Sequence, residues 1–202
     1  MDLPLEDPAE QPRPATLDGI ITDPVMLERR AGDLTDQTMR FRSWLKCECP
    51  MADAELDALV AATARHMAAL IDCGKCGLCC KLPSIGVNEA DCARLARRLE
   101  ISRVTFARKY VSVYEGEEGI TGPCPFLKEL RCTVYEDRPD ACRGFPYLEA
   151  PGFRGRTLML LSASFYCPIV FNTLEALKRR LPWRGRPRRR PQGRPIRSGQ
   201  AG

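Results

Sequence analysis

Four cysteines crowd into one stretch, Cys73-Gly74-Lys75-Cys76-Gly77-Leu78-Cys79-Cys80. Two-residue gaps let successive thiolates converge on one centre. Gly74 and Gly77 permit the backbone dihedrals of a tight ligand loop and leave amide N–H groups free to face sulfur. Three thiolates from one loop look like the start of a ferredoxin-type cluster site, whereas structural zinc more often takes two ligands from each of two knuckles. Side chains of adjacent residues diverge, so Cys79 and Cys80 serve different centres or opposite sides of one. Further thiols stand at Cys124-Pro125, Cys132, Cys142 and Cys167-Pro168. The first and last have the Cys-Pro form found where a remote cysteine completes an iron-sulfur site. Packing alone does not explain the pattern, because buried free cysteines need no fixed gaps.

The alternative use of dense cysteines is a disulfide framework, and two observations count against it. The total is eleven, an odd number, and Met1 to Glu10 is acidic and proline-containing, without the basic start and apolar core of a secretory signal. The expected compartment is therefore the reducing cytoplasm, where clustered thiols serve as metal ligands or redox groups.

The motifs continue in order as Cys124-Pro125-Phe126-Leu127, Cys132-x-x-Tyr135, Arg138-Pro139-x-x-Cys142-Arg143-x-Phe145-Pro146 and Cys167-Pro168. This ordered set resembles the CxxCxxCC, or YkgJ-like, zinc- or iron-chelating domain family over about residues 70 to 175. The resemblance implies metal ligation by Cys73, Cys76, Cys79, Cys80, Cys124, Cys132, Cys142 and Cys167. The family includes flagellin lysine-N-methylases, where the resemblance implies an iron-sulfur centre beside methyl transfer. This chain has no glycine-rich strand-to-helix motif for S-adenosylmethionine, and its 202 residues leave little room for a full methyltransferase domain. The C-x-x-x-C-x-x-C triplet of radical enzymes is also missing: Cys76 and Cys80 have the first gap, but position 83 is Pro.

The eight thiolates fit two four-cysteine sites or one cluster with spare thiols. An iron-sulfur cluster, of the 4Fe-4S kind that four thiolates hold, is the preferred cofactor and zinc the alternative. Tyr135, Arg138 and Arg143 belong to the matched motif and are expected near the metal, either donating hydrogen bonds to sulfur or filling ordinary turn and packing roles. Cys92 shares an apolar helix face with Leu95, Ala96 and Leu99 and reads as core. Cys47 and Cys49 read as peripheral. His66, the only histidine, lacks a paired Glu or second His, so a histidine-based catalytic zinc site has nothing to build on. No catalytic residue is assigned.

The elements that must position these thiols are mainly helical. Leu56, Leu59, Val60, Met67, Leu70 and Ile71 recur at helical spacing, so Asp53 to Ile71 reads as an amphipathic helix leading to Cys73. Asn88 with Asp91 caps a second helix, and Ser102 a third carrying Phe106, Tyr110 and Val111. A last helix runs through Val170, Leu174, Leu177 and Leu181 to Pro182. Thr157 to Leu174, despite few charges, contains Ser162, Ser164, Asn172 and Pro168 and reads as buried core rather than a membrane span. Gly122 to Gly152, with five prolines around three cysteines, should be irregular, with one short hairpin and few core residues.

The expected fold class is α+β: a small, mainly helical single domain with a Cys/Pro-rich segment stapled by metal. Residues 1–45 form a flexible N-terminal arm and lead-in, 46–178 the cysteine-cluster domain, and 179–202 a disordered tail. That tail holds nine arginines and no acidic residue; taking those nine from 31 basic residues leaves 22 against 26 acidic ones, so the formal +5 charge belongs to the tail. It reads as a solubilising extension, or as a weak, salt-dependent contact for nucleic acid or an anionic surface. The functional expectation is a metal-binding protein with a redox or accessory role, engaging an unknown protein partner. A component of a lysine-methylating enzyme and a structural zinc module for protein or nucleic-acid interaction are the alternatives.

Overall fold

The computed structural model describes residues 19–185, and both the acidic arm before residue 19 and the arginine-rich tail from 186 onward lie outside the described residues. Helices α1 (Pro24–Asp33) and α2 (Thr35–Cys47) precede the long α3 (Asp53–Leu70). After the cysteine loop come β1 (Ser84–Gly86), α4 (Glu89–Arg98), α5 (Arg103–Tyr110), β2 (Val111–Tyr114) and β3 (Glu117–Thr121). The two-residue strands β4 (Leu127–Lys128) and β5 (Arg131–Cys132) then lead to α6 (Asp140–Gly144), α7 (Phe153–Ala163) and α8 (Pro168–Arg180). The class is α+β, and among the described residues no helix is long and apolar enough to cross a membrane.

The larger core lies among α2, α3, α7 and α8, with Phe41, Leu45, Leu56, Val60, Leu160, Val170 and Leu177 at its centre. Polar ties fix these helices to one another. Asp57 on α3 accepts the amides of Gly152 and Phe153, at 2.8 and 2.9 Å, which would otherwise be orphans at the start of α7. Lys178 on α8, only 4% exposed, donates to Thr38 of α2 and to Glu175. A smaller core gathers Leu95 and Ala96 of α4, Phe106 of α5, Ile120 of β3, and Phe126 and Val134. Cys92 packs against it, half-buried.

The N-terminal lead-in carries more structure than its composition suggests. Asp23 caps α1 through the Met26 amide at 2.8 Å, with Pro24 at the first helical position. Phe41 and Leu45 of α2 are 1% exposed, so the packed body begins well before residue 46. The Asn172 side chain bonds both main-chain groups of Ile21, tying the chain to α8 from that point.

Three antiparallel strands, in the order β1-β3-β2, cover one side of the smaller core. Val111 opens β2 and pairs with Ile120, rather than continuing α5 as its apolar register suggested. Both hairpin turns hold two residues at positive φ: Glu115 and Gly116 at 52° and 87°, Glu129 and Leu130 at 48° and 63°. This is the type I′ pattern whose twist suits two-residue connections. The segment 122–152 is less irregular than its prolines imply. It contains α6, the β4–β5 hairpin and three core residues, Phe126, Val134 and Leu148.

Candidate metal centre

The cysteine loop starts directly after α3. Asp72 accepts the Gly74 amide at 3.0 Å and so begins a 3₁₀ turn over Cys73–Lys75. Residues three apart eclipse one another in such a turn, which sets Cys76 on the side of Cys73. Gly77 follows at φ 68°, and a Cβ there would stand 3.1 Å from the Leu127 side chain and 3.4 Å from the Leu130 backbone. A second 3₁₀ turn spans Cys79–Lys81. Its 3.0-residue period rotates successive side chains by about 120°, yet the Cys79 and Cys80 thiols remain hydrogen-bonding neighbours.

Cys73, Cys76 and Cys79 line one small cavity together with Cys167, walled by Ile71, Phe145, Tyr166 and Ile169. The Phe145 and Tyr166 rings stack, with centroids 6.1 Å apart. Cys167 is buried in the larger core immediately ahead of α8. It closes no capping bond of ordinary geometry, yet the Ile169 and Val170 amides act on its sulfur. Burial pushes its thiol up to about 12, the Ile169 and Val170 amides pull it back, and Cys73 and Cys76 raise it further. Cys73 reaches the surface while its sulfur is desolvated; burial raises its thiol first and Cys76 next.

Of the other four thiols, Cys80, Cys124 and Cys132 act on Cys142 through space. The Cys124 amide donates to the Cys80 carbonyl at 2.7 Å, and their thiols are hydrogen-bonding neighbours. The preceding Gly122 amide donates to Pro83, and a Cβ on Gly122 would run into the Leu82 carbonyl, so glycine is what admits this close approach. Cys132 pairs with Leu127 across the hairpin, which folds it back beside Cys124. Cys142 lies on α6, where burial and then Cys124, Cys80 and Cys132 push its thiol up to about 12, against a lowering by Arg138. Cys80 also rises to about 12: the Cys124 hydrogen bond lowers it, but the Cys79 thiol and burial outweigh that. Burial raises Cys132 too, opposed by the Val134 amide and Arg138. The two groups touch at Cys79 with Cys80 and at Cys73 with Cys132.

All three motif residues outside the cysteines lie nearby. The Arg138 guanidinium stands 3.9 Å from the Tyr135 ring centroid and donates to the Tyr135 carbonyl at 2.6 Å. Its charge lowers Cys73, Cys132 and Cys142. The Tyr135 ring packs against Gly74. Arg143 donates to the carbonyls of Arg138 and Glu136, holding the turn before α6. A second brace was not visible from spacing. Asp91, 1% exposed, receives the Asp140 amide at 3.0 Å and the Arg94 guanidinium, while Arg94 also donates to the carbonyls of Asp137 and Arg138. Asp91 had declared itself only as a capping partner of Asn88, a role it also fills. Cys47 lines a separate groove with Trp44 and Trp183, and Cys49 packs against the larger core.

As they stand, no three His, Cys, Asp or Glu side chains among the described residues are grouped so that they could hold a metal ion. The donor chemistry nevertheless suits one. The eight thiols are free of disulfides, and backbone amides from Phe126, Leu127, Val134, Ile169 and Val170 act on their sulfurs in the sense that favours thiolate. A cation would supply the rest of that stabilisation.

A cysteine-rich metal-binding domain is the class these features define. Residues 72–168 match the model of the CxxCxxCC family, described as "Putative zinc- or iron-chelating domain". An uncharacterized protein of Methanocaldococcus jannaschii is 37% identical over 81 residues, covering 37% of this chain and 43% of that protein. The chain thus spans less than half of the relative's length. No solved structure matches it.

Proposed function

We propose that the protein holds an iron-sulfur cluster on Cys73, Cys76, Cys79 and Cys167 and serves a redox or accessory role in the cytoplasm. The observation that carries this reading is the cavity shared by the three loop thiols and the thiol ahead of Pro168. Three thiolates from one C-x-x-C-x-x-C loop plus a remote Cys-Pro is the ligand order of ferredoxin-type sites. When bound, such a cluster supplies one-electron chemistry. The chain's own residues set the conditions: the Ile169 and Val170 amides and the Arg138 cation offset the negative charge of the thiolates, and Phe145 and Tyr166 limit water. Cys73, at the surface, marks the edge where a protein partner would exchange electrons.

Zinc is the second reading, and the size of the cavity favours it. At about 20 Å³ the space is that of a single ion or water. Anaerobic purification followed by an absorption spectrum and iron, sulfide and zinc analysis separates the two. Brown protein with iron and sulfide together supports the cluster; colourless protein with stoichiometric zinc replaces it by a structural zinc module.

A further inference from the structure

We propose that the protein binds single-stranded nucleic acid in the groove between α2 and the turn after α8, with Trp44 and Trp183 stacking on bases and Arg40 and Arg184 meeting phosphates. This goes beyond the metal reading and stands apart from it, since no residue that lines the groove also lines the thiol cavity.

The two walls come from opposite ends of the described chain. On α2, Thr38, Phe41 and Leu45 form the buried face, and Arg40, Ser43, Trp44 and Cys47 recur beside it at three- and four-residue spacing to line the groove. At the other end, Leu181 is buried, and Pro182 prevents α8 from continuing. The Trp183 amide donates to the Leu181 carbonyl at 2.7 Å, a tight turn that brings the indole back towards α2. Phe41, 1% exposed, braces both indoles from the core. Its ring stacks with Trp44 at a centroid distance of 6.0 Å and meets Trp183 edge-on at 5.1 Å. Rings held in this way are ordered before a ligand arrives, so stacking on them costs little further freedom. These are the chain's two tryptophans, both half-buried, and they line one groove of about 630 Å³. Packing against Phe41 accounts for one side of the pair. It gives no reason for an open cleft on the other, of a volume within the roughly 300–1,000 Å³ of ligand sites.

Charge selects the occupant. Arg40 and Arg184 are exposed along the groove, against one carboxylate among the lining residues, Glu48. From Gly185 the sequence runs on into residues 186–202, which add six arginines and no acidic residue. The chain's own basic segment, or that of a second copy, would meet Arg40 and Arg184 as like charge. Single-stranded nucleic acid matches both parts of the lining, with phosphates for the arginines and unstacked bases for the indoles. Arginines alone would hold any polyanion; the tryptophans are what favour one that carries bases.

The test uses the full chain, whose tryptophan emission arises wholly from this groove. Oligouridylate and oligothymidylate of about 12 nucleotides should quench that emission, with affinity falling as salt rises. Quenching by either supports the proposal, and the tighter of the two identifies the sugar. Trp183→Ala is expected to weaken binding about tenfold, and Trp183→Phe to restore most of it. Arg40→Glu and Arg184→Glu, which alter exposed side chains and leave the core intact, should each weaken binding and flatten its salt dependence, so the outcome does not hang on the tryptophan variants folding. Heparin, a polyanion without bases, should bind less tightly than the oligonucleotides. Equal affinity for heparin, or oligonucleotide binding that leaves the emission and the Trp183→Ala affinity unchanged, assigns the contact to the arginine-rich segment alone and overturns the groove. No binding at low salt overturns it too, as does quenching by phosphatidylserine vesicles but by neither oligonucleotide, which would make the groove a membrane contact.

Discussion

The Arg138 guanidinium acts on thiols of both groups, Cys73 on one side and Cys132 and Cys142 on the other. A cation in that position favours the more reduced, more negative state of a bound cluster. Arg138→Gln is therefore expected to lower the reduction potential of the loaded protein, read by redox titration. Arg138→Lys should restore it only in part, because a point charge cannot keep both the stacking on Tyr135 and the donation to its carbonyl. Cys92 supplies the control. It packs against the smaller core and the groups that act on its thiol are Asp91, Glu118, Arg103 and Glu89 rather than other cysteines, so Cys92→Ser should leave metal content unchanged, measured by elemental analysis beside Cys76→Ser, which should lose metal.

Among the elements, α4 is the one on which the second half of the site depends. Its capping box uses Asp91 twice, on its own N-terminus and on the start of α6. Asp91→Ala removes an acceptor from buried partners and leaves Arg94 only the exposed Asp140 carboxylate as counter-charge. The expected loss is about 3 kcal/mol, the usual cost of breaking a buried pair, seen as a lower urea midpoint with little change in slope. The start of α4 and of α5 was legible in the sequence because Asn88 and Ser102 place a side-chain acceptor before an apolar stripe. The Asp91–Arg94 brace was not, because its partners lie more than forty residues further along the chain and nothing local signals them. The strands escaped for a related reason. β2 follows α5 with no breaker between them, and the turn residues Glu115, Glu129 and Leu130 are not types that announce positive φ. Helix α1 is different: Asp23-Pro24 is a start signal that the composition of the arm concealed. The eight cysteines stand out by their spacing, but which of them neighbour one another depends on the hairpin register and the position of α6.

For the molecule as a whole, the two larger of three core clusters among the described residues meet at the thiols. Stripping the metal should therefore loosen the smaller side first. Hydrogen exchange on chelated protein is expected to show lost protection from Cys124 to Phe145, while α3 and α8 keep theirs. The pH dependence has opposite signs in the two states. In metal-free protein, Cys80, Cys142 and Cys167 are raised from 9.0 to about 12, so the fold prefers their protonated forms. That contribution is complete below pH 9 and drains as pH climbs towards 12, where thermal melts should fall. Loaded protein holds thiolates and should instead release metal on acidification. One last consequence follows from the position of Cys167, at the head of the final helix of the described chain, while its three companions precede half of the fold. During synthesis Cys73, Cys76 and Cys79 leave the ribosome well before their fourth partner exists. If the proposed centre forms on these four thiols, the nascent chain passes through a stage at which an incomplete set is open to oxidants and to mismatched ions, and loading waits until translation has delivered α8.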